Sequence, residues 1–152
     1  MKTMAFAFES TIGFWVNRTA YLMRGYLRQE FRQVKQPVTP EEWSILVRLW
    51  QEDGRRPSDL ADLTIRDATT VTRLLDSLSR KGLVERRPDS EDRRVVRAWL
   101  TSTGRELEEK LVPQAIRMLE IACQDIPEDE IETTMRTLQK MQDNLSQNES
   151  SS

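Results

Sequence analysis

Between Asp67 and Thr101 the spacing of apolar side chains changes from three-and-four to two, and a glycine marks the change. In DATTVTRLLDSLSRKG, Val71, Leu74, Leu75 and Leu78 recur at helical spacing. Asp67 is placed to cap the N-terminus, and Gly82 to take the C′ position past the end. The segments that follow, LVERR and VVRAWLT, have strand composition and are joined by PDSEDR, which opens on a Pro-Asp-Ser turn signal. Val96, Ala98 and Leu100 then point one way, and Val95, Arg97 and Trp99 the other. A helix feeding a lone hairpin, with helical patterns on both sides, gives a fold class that is mainly α with a small β-hairpin.

The helical patterns before the hairpin are three. From Ser10 to about Val34, Ile12, Trp15, Val16, Leu22, Met23, Tyr26 and Leu27 share one face while Phe14 and Tyr21 lie off it, and Pro37 and Pro40 end the run. Apolar groups on more than one side call for more than one packing partner. Thr39-Pro40-Glu41-Glu42 supplies an N-cap, a proline at the first helical position and early carboxylates that complement the helix dipole, so a second helix runs from Pro40 to Glu52 and stops at Asp53-Gly54. In PSDLADL, Ser58 is read as the cap of a short third helix with Leu60, Ala61 and Leu63 inward. After the hairpin, a long helix from Ser102 to about Gln124 carries Pro113, which should kink it. A last helix from Pro127 to about Leu145 places Ile131, Met135, Leu138, Met141 and Leu145 on a narrow seam with heptad-like spacing. The closing SQNESSS is polar and expected to be disordered.

Charge is segregated along the chain. Residues 1–53 hold seven basic and six acidic side chains, residues 54–97 eleven and eight, and residues 98–152 five and eleven, so +1, +3 and −6 give the net −2. The positive excess lies around the hairpin, and a chain built this way can meet a polyanion with one surface and repel it with another. There is no histidine, which removes the commonest general base and the commonest metal ligand. The single Cys123 cannot form an internal disulfide, and beside Ala122 late in a helix it is read as packing rather than as a redox sensor. With no nucleophile motif, glycine-rich phosphate loop or metal cluster, no enzyme activity, metal or cofactor is expected. The N-terminal MKTMAFAFESTIGFWV is interrupted by Glu9 and lacks the parts of a signal peptide, and apolar runs are short, so the expected location is cytoplasmic, away from membranes.

The order short helix, turn, helix, hairpin is that of a helix-turn-helix with a wing. The helix from Ser58 would buttress the next one, leaving the polar face of the latter, Thr69, Thr72, Arg73, Asp76 and Arg80, free to enter a major groove. Thr69, Thr70 and Thr72 offer hydroxyls and methyls to base edges or phosphates, and Arg73 reaches guanine or a phosphate. Tip arginines Arg93 and Arg94 would enter the adjacent minor groove, where narrow A·T runs concentrate negative potential. Ser58, Arg80, Arg86 and Arg87 complete the expected contact surface. Among the carboxylates of the loop, Asp92 is expected to pair with a tip arginine and hold the turn. In isolation such a loop is a solvated turn; its place after a helix-turn-helix gives it a use.

Residues 60–107, LADLTIRDATTVTRLLDSLSRKGLVERRPDSEDRRVVRAWLTSTGREL, resemble the core signature of MarR-family transcriptional regulators: Thr-Val-Thr-Arg-Leu-Leu, Lys-Gly-Leu-Val, Arg-Arg-Pro-Asp, Asp-Arg-Arg and Leu-Thr-x-x-Gly follow in order. The resemblance implies a homodimer of winged-helix lobes on a pseudo-palindromic double-stranded DNA operator, acting as a repressor and released by a small, often aromatic effector. It implies that Thr69, Thr70, Thr72 and Arg73 lie in the recognition helix, Arg93 and Arg94 in the wing, and that Asp92 and Arg94 form the family's Asp-x-Arg wing pattern. The organisation expected is an N-terminal dimerisation helix (1–36), a winged helix-turn-helix DNA-binding region (37–101), C-terminal dimerisation helices (102–146) and a disordered tail (147–152). Phe14, Trp15, Arg18, Tyr26 and Trp43 are candidate effector contacts, weighed against the ordinary role of aromatic stripes as core. An alternative from another class is a winged-helix protein-interaction module without DNA binding, which a steep fall of duplex affinity with salt would exclude.

Overall fold

A computed structural model describes residues 7–35 and 38–150. Its elements in chain order are a 3-10 turn at Phe8–Ser10, then α1 (Ile12–Phe31), α2 (Pro40–Gln51), α3 (Pro57–Thr64), α4 (Ala68–Arg80), β1 (Val84–Pro88), β2 (Val96–Leu100), α5 (Ser102–Ala122) and α6 (Glu128–Glu149). Two compact units divide between Met118 and Leu119, inside α5.

Caps set most helix starts in the first unit. The Thr11 hydroxyl accepts from the Phe14 amide at 3.2 Å, so α1 begins after Thr11 rather than at Ser10, and it ends at Phe31, short of Val34. Thr39 and Glu42 form a reciprocal capping box at α2, with Pro40 at the first helical position. Ser58 does not cap α3: the extended residue before the helix is Arg56, and Pro57, with its pre-set φ, starts the helix one residue earlier. Leu60 and Ala61 turn inward as expected, but Leu63 is exposed at the edge of α3. Asp67 caps α4, and Gly82, at φ +72°, closes its C-terminus while the Leu83 amide bonds back to the Leu78 carbonyl.

Val71, Leu75 and Leu78 of α4 are fully buried against Ile45, Leu46 and Leu49 of α2, Leu60, Leu83, Ala98, Leu107 and Leu111, with Leu27 and Phe31 closing one end of the core. Leu74 is only partly buried beside it. The hairpin pairs antiparallel with Val84 opposite Leu100 and Pro88 opposite Val96. Ala98 and Leu100 are buried as the alternation requires, whereas Val96, toward the tip, is exposed. The Ala98 amide also donates to the Arg55 carbonyl at 2.9 Å, so the α2–α3 connection adds a bridge on the open edge of β2. Gly54, at φ +69°, lies under the Trp99 ring, where an added Cβ would come within 2.5 Å.

One buried carboxylate joins distant parts of this unit. Glu42, 3% exposed, accepts from Ser77 Oγ at 2.5 Å, Lys81 Nζ at 2.7 Å and the Thr39 amide at 3.0 Å, which ties the start of α2 to the end of α4. Burial alone would raise its pKa, but these donors and the Lys81 charge together hold it below the ordinary value.

In the second unit, α6 starts at Glu128 after Pro127 and continues to Glu149, past Leu145. Residues 147–149, expected in a disordered tail, are therefore helical, and the Asn148 side-chain Nδ2 donates to the Asn144 carbonyl at 2.8 Å. Ser151 and Ser152 of that tail, and Pro37 of the expected stop after the first helix, lie outside the described residues. The Ile131, Met135, Leu138, Met141, Leu145 seam is exposed or half-buried along its length. Cys123, expected late in a helix, falls in the turn just past α5 and is half-buried. Among the described residues no helix is long and apolar enough to cross a membrane.

Candidate nucleic-acid interface

The polar side of α4 is uncovered. Thr69, Thr72, Arg73 and Arg80 are exposed, opposite the buried stripe of Val71, Leu75 and Leu78, and Thr70 is half-buried. The helix carries this face because its apolar residues all fall on one side, a stronger segregation than in the other α-helices among the described residues. Its N-terminus is ordered by Asp67, whose Oδ1 accepts from the Thr70 amide at 2.7 Å; that bond, then the Thr70 hydroxyl, holds the Asp67 carboxyl below its usual range. Ser58 lies exposed in the first turn of α3.

The hairpin tip is shaped by two aspartates. Asp92 Oδ1 accepts from the Arg94 amide at 3.1 Å and from Arg94 Nε at 3.2 Å, the pairing expected from the sequence. Asp89, which sequence reasoning passed over, does as much: it takes Arg97 Nε at 2.8 Å and the Asp92 amide at 3.2 Å. Arg97, foremost, holds the Asp89 carboxyl below its ordinary value. Arg97 in turn donates to the Gly54 carbonyl at 2.9 Å, fixing the hairpin to the α2–α3 connection. Asp53 Oδ1 completes that joint, accepting from the Gly54 and Leu100 amides, each at 2.9 Å. Arg93 and Arg94 project from this frame; the Arg94 side chain is 92% exposed even while paired.

The structure separates Arg86 and Arg87 from the tip. Arg86 turns toward α4, with Nη1 at 2.6 Å from Asp76 Oδ1 and Nη2 at 3.1 Å from the Thr72 carbonyl. Arg87 pairs with Glu85 and stands over the Trp99 ring, 5.4 Å from its centroid. The partners of Arg86 lie on another element and Trp99 lies across the hairpin, whereas Glu85 is two residues away on the same strand.

The five candidate effector residues are likewise divided. Phe14 and Arg18 line a shallow groove of about 600 Å³ on α1 with Phe8, Asn17 and Tyr21. Trp15 meets Phe14 edge-on at 5.2 Å and donates to the Glu9 carbonyl at 3.0 Å. Tyr26 packs on the core, and Trp43 lies between Phe31, tilted at 5.2 Å, and Trp50, edge-on at 5.5 Å. Trp43 also borders a separate groove with Ser44, Val47, Arg48 and Arg66.

The model of the MarR family matches residues 38–96, which span α2 to the start of β2. Among curated proteins, the transcriptional repressor MprA of Escherichia coli is 34% identical over 95 residues, 60% of this chain and 54% of MprA; the chain thus spans about half the length of that relative. Among solved structures, a MarR transcriptional regulator from Methanosarcina mazei superposes with a TM-score of 0.79 at 25% identity, covering 90% of this chain and 96% of that one. BpsR of Bordetella bronchiseptica superposes with 0.82 at 24% identity, covering 91% and 98%. The helix order and the two-stranded hairpin are those of these solved structures, and residues 38–96 are similar to the MarR family of transcriptional regulators.

Proposed function

We propose that the chain is a sequence-specific DNA-binding repressor that acts as a homodimer on a pseudo-palindromic operator. The observation that carries this reading is the uncovered Thr69, Thr72, Arg73 and Arg80 face of α4 beside a hairpin whose Arg93 and Arg94 are exposed. An α-helix fits a major groove, and hairpin arginines suit the neighbouring minor groove. Thr70 and Ser58 add hydroxyls for phosphates at the edges of the site. The exposed apolar side chains of α1, Ile12, Trp15, Val16 and Leu22, and the seam on α6 supply the surfaces for a second copy, with residues 1–36 and 102–146 as the dimerisation regions. Release by a small aromatic effector follows the example of BpsR, whose DNA binding is regulated by 6-hydroxynicotinic acid; Phe14 and Arg18 are the residues proposed to meet it first.

The test is selection of duplexes from a random-sequence pool, followed by titration at several salt concentrations. Arg73→Ala should weaken binding about 5- to 150-fold and relax one base preference, while Arg94→Ala should weaken binding by a similar factor on every major-groove variant. Wild-type protein that selects no duplex at low salt would refute the reading.

A further inference from the structure

We propose that Arg86 and Asp76 act as a positioning pair that sets the angle between α4 and the hairpin, and that Arg86 makes no phosphate contact of its own. The inference rests on the DNA-binding reading above. Arg86 stands near the root of the hairpin, paired across the ladder with Ala98. Its guanidinium holds α4 at two points one turn apart, the Asp76 carboxylate at 2.6 Å and the Thr72 carbonyl at 3.1 Å. Thr72 is itself on the uncovered face, so the fork grips the helix beside the residues meant for bases.

Exposure decides what such a pair is for. The Arg86 and Asp76 side chains are 32% and 48% exposed, and ion pairs this open to water add little to folding stability. Geometry is more sensitive. The hairpin extends about five residues beyond Arg86, roughly 17 Å at strand rise, so a rotation of about 10° at the root moves the tip by about 3 Å. That displacement is as large as a hydrogen bond is long, enough to take Arg93 and Arg94 out of a groove that α4 has already fixed. The pair also accounts for Asp76, a negative charge on a surface that faces a polyanion: by electrostatics alone its removal should tighten binding.

The experiment measures affinity and its salt dependence for the full chain on a duplex selected by the wild-type protein. Arg86→Ala and Asp76→Ala should each weaken binding about tenfold, and the double variant no more than the weaker single one, because both remove the same contact. The slope of log affinity against log salt should change by the same amount in both single variants, because each displaces the same tip arginines. Asp76→Ala that binds as well as wild type or better, or a slope that falls in Arg86→Ala while Asp76→Ala keeps the wild-type slope, as for a phosphate contact made by Arg86 itself, would overturn the proposal. Arg86→Lys covers the case in which an alanine variant folds poorly: it keeps the charge but cannot fork between two acceptors, so it too should weaken binding, and full affinity would refute the positioning role. Failure of the DNA-binding reading would show first in the wild-type protein, as an empty selection.

Discussion

Replacing Glu42 by glutamine tests whether the joint between α2 and α4 is electrostatic. The side chain is nearly isosteric, so packing is preserved, but the charge shared with Lys81 is lost; the amide oxygen can keep the Thr39 amide as a neutral bond, while the new NH2 must donate to Ser77 Oγ in place of accepting from it. Hydrogen bonds to a charged group contribute about 1.5–3 kcal/mol against about 1 for neutral pairs. Removing one partner of a fully buried ion pair costs about 3–5 kcal/mol, but the Lys81 side chain is 32% exposed and can be rehydrated, which places the loss lower, at about 2–3 kcal/mol. For a chain of this size that is a fall in Tm of about 5–10 °C. Urea unfolding followed by the fluorescence of Trp43 and Trp50 would report it as a lower midpoint with an unchanged slope. The sign with pH is fixed by the direction of the shift. Glu42 is held below its ordinary value in the folded state, so its contribution is complete above the unfolded glutamate range and disappears as pH falls through the folded value. The difference between the two proteins should therefore shrink on acidification. A loss below about 0.5 kcal/mol at neutral pH, or a difference that grows in acid, would refute the argument.

Two further substitutions probe the backbone. Ile65 ends α3 at φ 52°, ψ 53°, a left-handed conformation costly for a β-branched residue, with its side chain 83% exposed. Ile65→Asn should raise stability by about 0.5–1 kcal/mol in the same urea assay, and a loss would mean that the isoleucine makes contacts that offset its strain. Gly104→Ala would bring a Cβ to 2.1 Å from the Leu83 carbonyl oxygen at the start of α5, a backbone collision that should cost about 2–3 kcal/mol; near wild-type stability would show that the helix start shifts freely.

What the sequence made legible was local. Asp67, Thr39 and Gly82 announce their roles through residue type and spacing alone, and the structure uses each as expected. The wing pairing of Asp92 with Arg94 is two residues long and equally readable. Ser58 misled because Pro57 starts α3 without a side-chain cap. Residues 147–149 look like a tail by polarity but are long-chain and amide residues near a helix already formed, which lets α6 continue. The partners of Arg86 and Glu42 were hidden for another reason. Glu42 meets Ser77 and Lys81 across 35 and 39 residues of chain, a juxtaposition that only the packed core creates. The sequence marked Glu42 as an early carboxylate complementing the dipole of α2, and nothing in that reading signalled burial.

Asp53 gives the first unit a mechanical property. One carboxylate oxygen holds the amide that follows α2 and the amide that ends β2, while the Gly54 and Arg55 carbonyls receive Arg97 and Ala98. The hairpin is hinged to the far end of α2 as a crank is keyed to its shaft. That key and the Arg86 fork on α4 fasten the hairpin to two separate elements.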